Sequence, residues 1–134
     1  MARADRIPYL FPHRFVVVRA TLKAEVWTTL LVDTGAEQMV VSRQAAALLG
    51  LNLDRPPRTQ FLVGVGQTAA VPMVRLDRVQ VGSSVATHLV ASVYDLPPIF
   101  RADGLLGLNF LRRFRTTLEF DTHTLVLRSA ADRR

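Results

Sequence analysis

The chain has 134 residues, of which 49% are hydrophobic and 21% charged, with no cysteine and a net charge of +6. That balance suits one domain with a real core and excludes an intrinsically disordered chain. The lack of cysteine excludes a disulfide scaffold, thiolate zinc sites and a cysteine nucleophile.

Every basic residue except Lys23 is an arginine, and these are scattered; only Arg112, Arg113 and Arg115 approach a patch. A nucleic-acid surface would interleave a basic stripe with aromatics, so no nucleic-acid partner is expected. The longest uncharged stretches, residues 59–74 and 79–94, are too short and too broken by Gly, Pro, Gln or Ser to span a membrane. Arg3, Asp5 and Arg6 precede only a brief apolar run, interrupted by Pro8 and closed by Pro12, which is not a secretory signal. The chain as written is therefore expected in the cytoplasm, with no membrane contact of its own.

One domain over residues 1–134 is expected, with residues 1–12 as an amino-terminal extension, 13–128 as the core and 129–134 as a frayed tail. From Phe15 the residues alternate as a strand, Val16 and Val18 on one side and Phe15, Val17 and Arg19 on the other. A turn near residues 22–24 leads into a second strand rich in Val26, Trp27, Thr28, Thr29 and Val32, which runs directly into Asp33-Thr34-Gly35-Ala36. Ser42 is placed to cap a helix over residues 43–49, with Gly50 closing it in the left-handed region. Asp54-Arg55-Pro56-Pro57 reads as a stiff loop. Residues 59–94 read as hairpins turning at Gly64-Val65-Gly66-Gln67 and Val81-Gly82-Ser83-Ser84. After Pro97-Pro98 come Asp103-Gly104-Leu105-Leu106-Gly107, a short helical stretch over 109–112, and a closing hairpin of residues 117–120 and 124–127 that turns at Asp121-Thr122-His123.

Gly64-Val65-Gly66-Gln67-Thr68-Ala69 formally fits a dinucleotide fingerprint. The residues that follow, through Pro72, keep strand periodicity and supply no helix terminus for a pyrophosphate, so the glycines read as a hairpin tip. His13, His88 and His123 are too widely spaced to be ligands of one metal, and no metal or cofactor is expected. No Gly-x-Ser-x-Gly elbow is present.

What remains is an acid at the end of a hydrophobic strand, Leu30-Leu31-Val32-Asp33-Thr34-Gly35-Ala36, and a later Gly104-Leu105-Leu106-Gly107-Leu108-Asn109-Phe110-Leu111. Together they resemble the retropepsin-like aspartic proteases, single-domain homodimeric enzymes of retroviruses with bacterial and cellular relatives. The resemblance runs from about Arg14 to Phe120. It implies that Asp33, Thr34 and Gly35 form the catalytic loop and that residues 61–68 around Gly64, Val65 and Gly66 form a flap. Leu105, Leu106 and Gly107 match the signature behind the active site, residues 109–111 the start of the family's carboxy-terminal helix, and residues 117–120 its closing strand. The implied fold is mainly β, a small closed Greek-key-like barrel with one or two short helices, paired as a homodimer.

Two carboxylates sharing one proton can both take a proton from water and give one to an amide, since two acids about 3 Å apart cannot both ionise. This chain holds one Asp-Thr-Gly, and Asp121-Thr122 is followed by His123. The resemblance thus implies one Asp33 from each of two chains, acting on an extended peptide as the other partner. Thr34 would cross to the opposite loop and Gly35 would let the substrate backbone approach. Ala36, where many cellular members carry serine, implies a mildly acidic optimum. Ala36, Glu37, Gln38, the flap glycines with Val65, and Leu105, Leu106 and Gly107 are the expected substrate-binding residues, with Val32 and Val40 as further apolar lining. Gly107-Leu108-Asn109 lacks the arginine of the retroviral Gly-Arg-Asn, so Glu37 must find Arg14 or Arg112 or face solvent. Residues 124–127 extend beyond the retroviral pattern and leave the dimer contacts to be rebuilt. The alternative is a catalytically idle module of the same fold used for dimerisation or peptide binding.

Overall fold

The computed structural model describes residues 4–23, 26–54, 58–64 and 67–129, so Val65 and Gly66 of the expected flap tip and residues 130–134 of the tail lie outside the described residues. Among the described residues ten strands form two sheets, accompanied by two short α-helices and a 3-10 turn at Pro98–Phe100. The larger contains β2 (Val17–Lys23), β3 (Val26–Val32), β4 (Met39–Val41), β5 (Arg58–Gly64), β6 (Gln67–Val81), β7 (Ser84–Val93) and β8 (Gly104–Leu106), in the order β2-β3-β8-β4-β7-β6-β5. Thr21 of β2 also pairs with Gln80 of β6, which closes six strands into a barrel and leaves β5 outside as one arm of a hairpin with β6. Closure removes the open edges that a six-stranded sheet would otherwise present.

The barrel is mixed: β3 runs parallel to β8 and β4 parallel to β7, whereas the other pairs are antiparallel. Its interior is filled by Leu30, Met39, Val41, Val93, Leu106 and Phe110, each fully buried. At about 1.5–3 kcal/mol for each such side chain, this cluster is the main favourable term in folding. Helix α1 (Arg43–Leu48) starts as the sequence implies, with the Ser42 hydroxyl accepting from the Ala45 N–H at 3.0 Å, and Gly50 follows it at φ +76°. Helix α2 (Leu108–Leu111) is a single turn.

The smaller sheet has the order β1-β10-β9, from β1 (Asp5–Pro8), β10 (Thr124–Ser129) and β9 (Phe114–Glu119). Here the structure corrects the sequence-based division of the chain. Residues 4–12 are no appendage: β1 pairs along its whole length with β10, Ile7 and Tyr9 are buried in the core, and the Leu10 N–H donates to the Val17 carbonyl at 2.8 Å. Pairing with a strand more than a hundred residues away is invisible to local pattern. Phe15, expected to begin the first long strand, instead lies before β2 and packs on Phe100 with ring centroids 5.0 Å apart. Ser129, assigned to the tail, is the last residue of β10.

Candidate active site

Asp33 follows β3 directly, and its loop is held by main-chain bonds on every side. Its N–H donates to the Leu106 carbonyl at 3.1 Å, extending the parallel pairing of β3 with β8 by one residue. The Ala36 N–H turns back to the Asp33 carbonyl at 3.3 Å, and the Gly35 N–H donates to Asp33 Oδ1 at 2.8 Å. A β-carbon on residue 35 would lie 3.2 Å from that same oxygen, so a side chain there would crowd the carboxylate. Beyond the acid, the loop answers a need of α2. The first N–H groups of a helix have no partner inside it, and Gly107 has no side chain to cap them. Leu108 N–H donates to the Ala36 carbonyl at 2.8 Å and Asn109 N–H to the Glu37 carbonyl at 3.0 Å. The Asn109 side chain adds a 2.8 Å bond to the Val90 carbonyl, which joins this unit to β7.

Strand register decides which side chains can meet a substrate. Directly paired residues share a face of the sheet, and Leu31, Leu105, Val40 and Ser92 form one row across β3, β8, β4 and β7. Leu105, Val40 and Ser92 are buried, yet none belongs to the barrel-core cluster. They lie on the face away from it, a mostly apolar floor. Tyr94 continues this face two residues after Ser92, its N–H donating to the Val41 carbonyl at 3.2 Å. The half-buried Tyr94 hydroxyl has its pKa raised, first by burial and then by the Asp33 charge. It is therefore a neutral donor within electrostatic range of the acid.

Two expected substrate contacts are corrected by this register. Leu106 points the other way, is fully buried and belongs to the barrel core; its contribution to the site is the carbonyl that holds Asp33. Val32 is half-buried against the core and also lines the groove beside Thr34, while Leu31 takes the place on the floor. Gly107 is buried beneath the main chain of Gln38. Glu37 is exposed, while Gln38 is half-buried, with its Oε1 enclosed and lacking a hydrogen-bond partner among the described residues. Gly64 ends β5 and pairs with Gln67 of β6, so the expected flap is a hairpin up to the two tip residues that are not described. Thr34 is exposed and borders an apolar groove with Val32, Leu108, Leu111 and Leu118.

Sequence reasoning missed Leu31, Ser92 and Tyr94. The parity of β3 counted back from Asp33 could have found the first, but the partners of β7 come from strand pairing alone. Among the described residues no three His, Asp or Glu side chains gather as a metal site, and no helix is long and apolar enough to cross a membrane.

A search of curated proteins found no match to the sequence. Among solved structures, a retropepsin-like aspartic protease from Rickettsia conorii superposes with a TM-score of 0.75 at 21% sequence identity, over 96% of this chain and 92% of that one. The barrel therefore has the retropepsin-like fold. Residues 19–113 match the family model described as gag-polyprotein putative aspartyl protease, a span that runs from β2 through Asp33 and the β5–β6 hairpin to just past α2. With that span covering most of the chain, the protein belongs to the gag-polyprotein aspartyl protease family.

Proposed function

We propose that the chain is an aspartic endopeptidase that works as a homodimer, with Asp33 of each protomer contributing one carboxylate to a shared site. The observation that carries this reading is the setting of Asp33: one acid per chain, fixed by Leu106 and Gly35 main-chain bonds, beside an apolar floor suited to an extended peptide. In the mechanism, one Asp33 carboxylate takes a proton from a water molecule lying between the pair as its oxygen attacks the scissile carbonyl. The protonated partner gives its proton to the carbonyl oxygen, forming a neutral gem-diol. Breaking the C–N bond passes a proton to the leaving nitrogen and leaves a carboxylic acid and an amine, so water and amide are consumed one for one.

The peptide lies as an added strand between the flap hairpin and the row Leu31-Leu105-Val40-Ser92, which favours apolar residues next to the cut. Thr34 of each chain reaches the opposite loop and keeps the two carboxylates coplanar. Glu37 and Gln38, past the loop, and Gly64 with Val65 and Gly66 of the flap contact the peptide main chain. A peptide in which a hydroxyl-bearing carbon replaces the scissile amide mimics the gem-diol and tests this assembly. Calorimetric titration should give one inhibitor per two chains, with binding lost in Asp33→Ala. A stoichiometry of one per chain would contradict the shared site.

A further inference from the structure

Strand β6 is longer than the contacts that build the barrel around it. β7 covers one side of it from Met73 to Val81. On the other side β5 pairs with it only as far as Met73, and β2 only at Gln80. Residues 74–79 therefore have no strand partner on that side among the described residues, and the main-chain groups that point that way are open to a further strand. A groove of about 310 Å³ opens at this place, with Leu22 of β2 and Leu76 of β6 at its base and Leu49 and Leu51, which follow α1, as its wall. We propose that the groove binds the carboxyl terminus of a peptide, an apolar last residue with its free carboxylate. Cleavage beside apolar residues makes such ends, a source that rests on the protease reading above.

Three features of the groove select this ligand. Leu22 and Leu76 belong to the barrel core, and the half-buried Leu49 and Leu51 leave apolar surface for one or two side chains, in keeping with a volume at the small end of the range for ligand sites, about 300–1,000 Å³. Around them stand Lys23, Arg75 and Arg78, all exposed, against the single anion Asp77. None of the three cations forms an ion pair with a carboxylate among the described residues. An arginine fork matches a carboxylate in a bidentate way, so a chain end can supply the missing negative charge. The open side of β6 offers main-chain hydrogen bonds to an extended peptide. Asp77 can only accept, and a peptide N–H can donate to it. A fatty acid would satisfy the leucines and the cations, yet it has no N–H for Asp77 and no main chain for the β6 edge.

The groove is separate from the catalytic loop. Lys23 pairs with Val26 at the start of β3, and Asp33 follows the end of that strand, so at about 3.3 Å per residue the two sites lie roughly 23 Å apart. A chain end held beside Lys23 thus leaves the row Leu31-Leu105-Val40-Ser92 free for the next substrate. Nor does the groove share a residue with the apolar one beside Thr34.

An acetylated leucine tripeptide with a free carboxylate, the same peptide as its amide, and octanoate test this by NMR titration of the wild-type chain. The free acid should shift the amide signals of Leu49, Leu51 and residues 75–78, and should do so equally in Asp33→Asn. Blocking its carboxylate as the amide should weaken binding about tenfold, the worth of a hydrogen bond to a charged group. The double variant Arg75→Glu with Arg78→Glu, which alters only exposed side chains, should weaken it by at least as much. Octanoate should bind more weakly than the peptide. Shifts confined to residues around Asp33, an amide that binds as well as the acid, or charge reversals without effect would overturn the proposal and assign the cations to keeping other strands off the β6 edge. Octanoate that binds as tightly as the peptide would overturn the peptide as occupant and make the groove a fatty-acid site. Binding at the groove by a dimer that cleaves nothing would remove only the origin of the ligand in cleavage, whereas cleavage without binding would overturn the groove and leave the protease reading standing.

Discussion

Gly107 and Gln38 touch through their main chains: a β-carbon added to residue 107 would lie 2.3 Å from the Gln38 carbonyl oxygen and 3.0 Å from that of Ala36. The glycine closing the Leu105-Leu106-Gly107 motif is therefore the surface against which the chain downstream of Asp33 is laid. Because the neighbouring atoms are backbone, they cannot move aside as a side chain would.

Gly107→Ala should accordingly cost about 2–3 kcal/mol of stability, the upper range for forcing extra volume into a packed site. It should also displace the Ala36 and Glu37 carbonyls from the first N–H groups of α2. Chemical denaturation of the two proteins checks this; a loss below about 0.5 kcal/mol would show that the loop relaxes freely. A fall in cleavage larger than the stability change can explain would report the displaced Asp33.

Tyr94 reaches the floor beside Asp33 as a neutral hydroxyl, since burial and the nearby carboxylate hold its pKa above the ordinary value of 10. Tyr94→Phe should keep the fold and the cleavage of peptides with apolar residues at the cut. Peptides whose side chain hydrogen-bonds there should lose about threefold to tenfold in kcat/KM, the worth of one neutral hydrogen bond. A uniform loss across both peptide sets would instead assign Tyr94 to holding the loop.

Glu119 ties β1 to β9 across β10 through Arg6, and its pKa lies below the ordinary value of 4.5. The Thr122 hydroxyl and the Arg6 hydrogen bond do most of this, with the Arg6 and Arg128 charges adding to it. A lowered folded-state pKa means that the contribution is present above the unfolded-state value and is lost as pH falls through the folded-state one. The thermal midpoint should therefore drop as pH is lowered below about 4.5, and Arg6→Ala should flatten part of that slope. Identical slopes in the two proteins would contradict the assignment.

Thr34 is exposed in the single chain and borders the groove that ends at β9. Thr34→Val keeps the shape and removes the hydroxyl. It should weaken the dimer about tenfold while leaving the denaturation of the protomer unchanged, as comparison of sedimentation with denaturation at low concentration will show. A dimer of unchanged affinity would place the Thr34 hydroxyl outside the contact between loops.

Several parts of this structure could be read from local sequence. Ser42 marks the start of α1 because its hydroxyl satisfies a free helix donor, and the Asp33-Thr34-Gly35 loop stands where a hydrophobic strand meets two small residues. The faces of the floor were less legible. Leu30 and Leu31, like Leu105 and Leu106, place the same side chain on both sides of a strand, so no apolar-polar alternation tells which member of each pair faces the core. The pairing of β1 with β10 depends on contacts between the two ends of the chain. No window of neighbouring residues contains them.

The central claim is that peptide cleavage depends on the Asp33 carboxylate acting in a dimer. It is tested most directly by incubating wild type and Asp33→Asn with an unbiased peptide pool from about pH 4 to 7, at concentrations where sedimentation shows a dimer. Substituting an amide removes the shared proton with almost no change of shape. The expected result is a set of cuts between apolar residues, greatest at mildly acidic pH and absent from Asp33→Asn. Cuts that persist in Asp33→Asn, or none from a demonstrated wild-type dimer, would contradict it, the latter pointing to a peptide-binding module built on the same barrel.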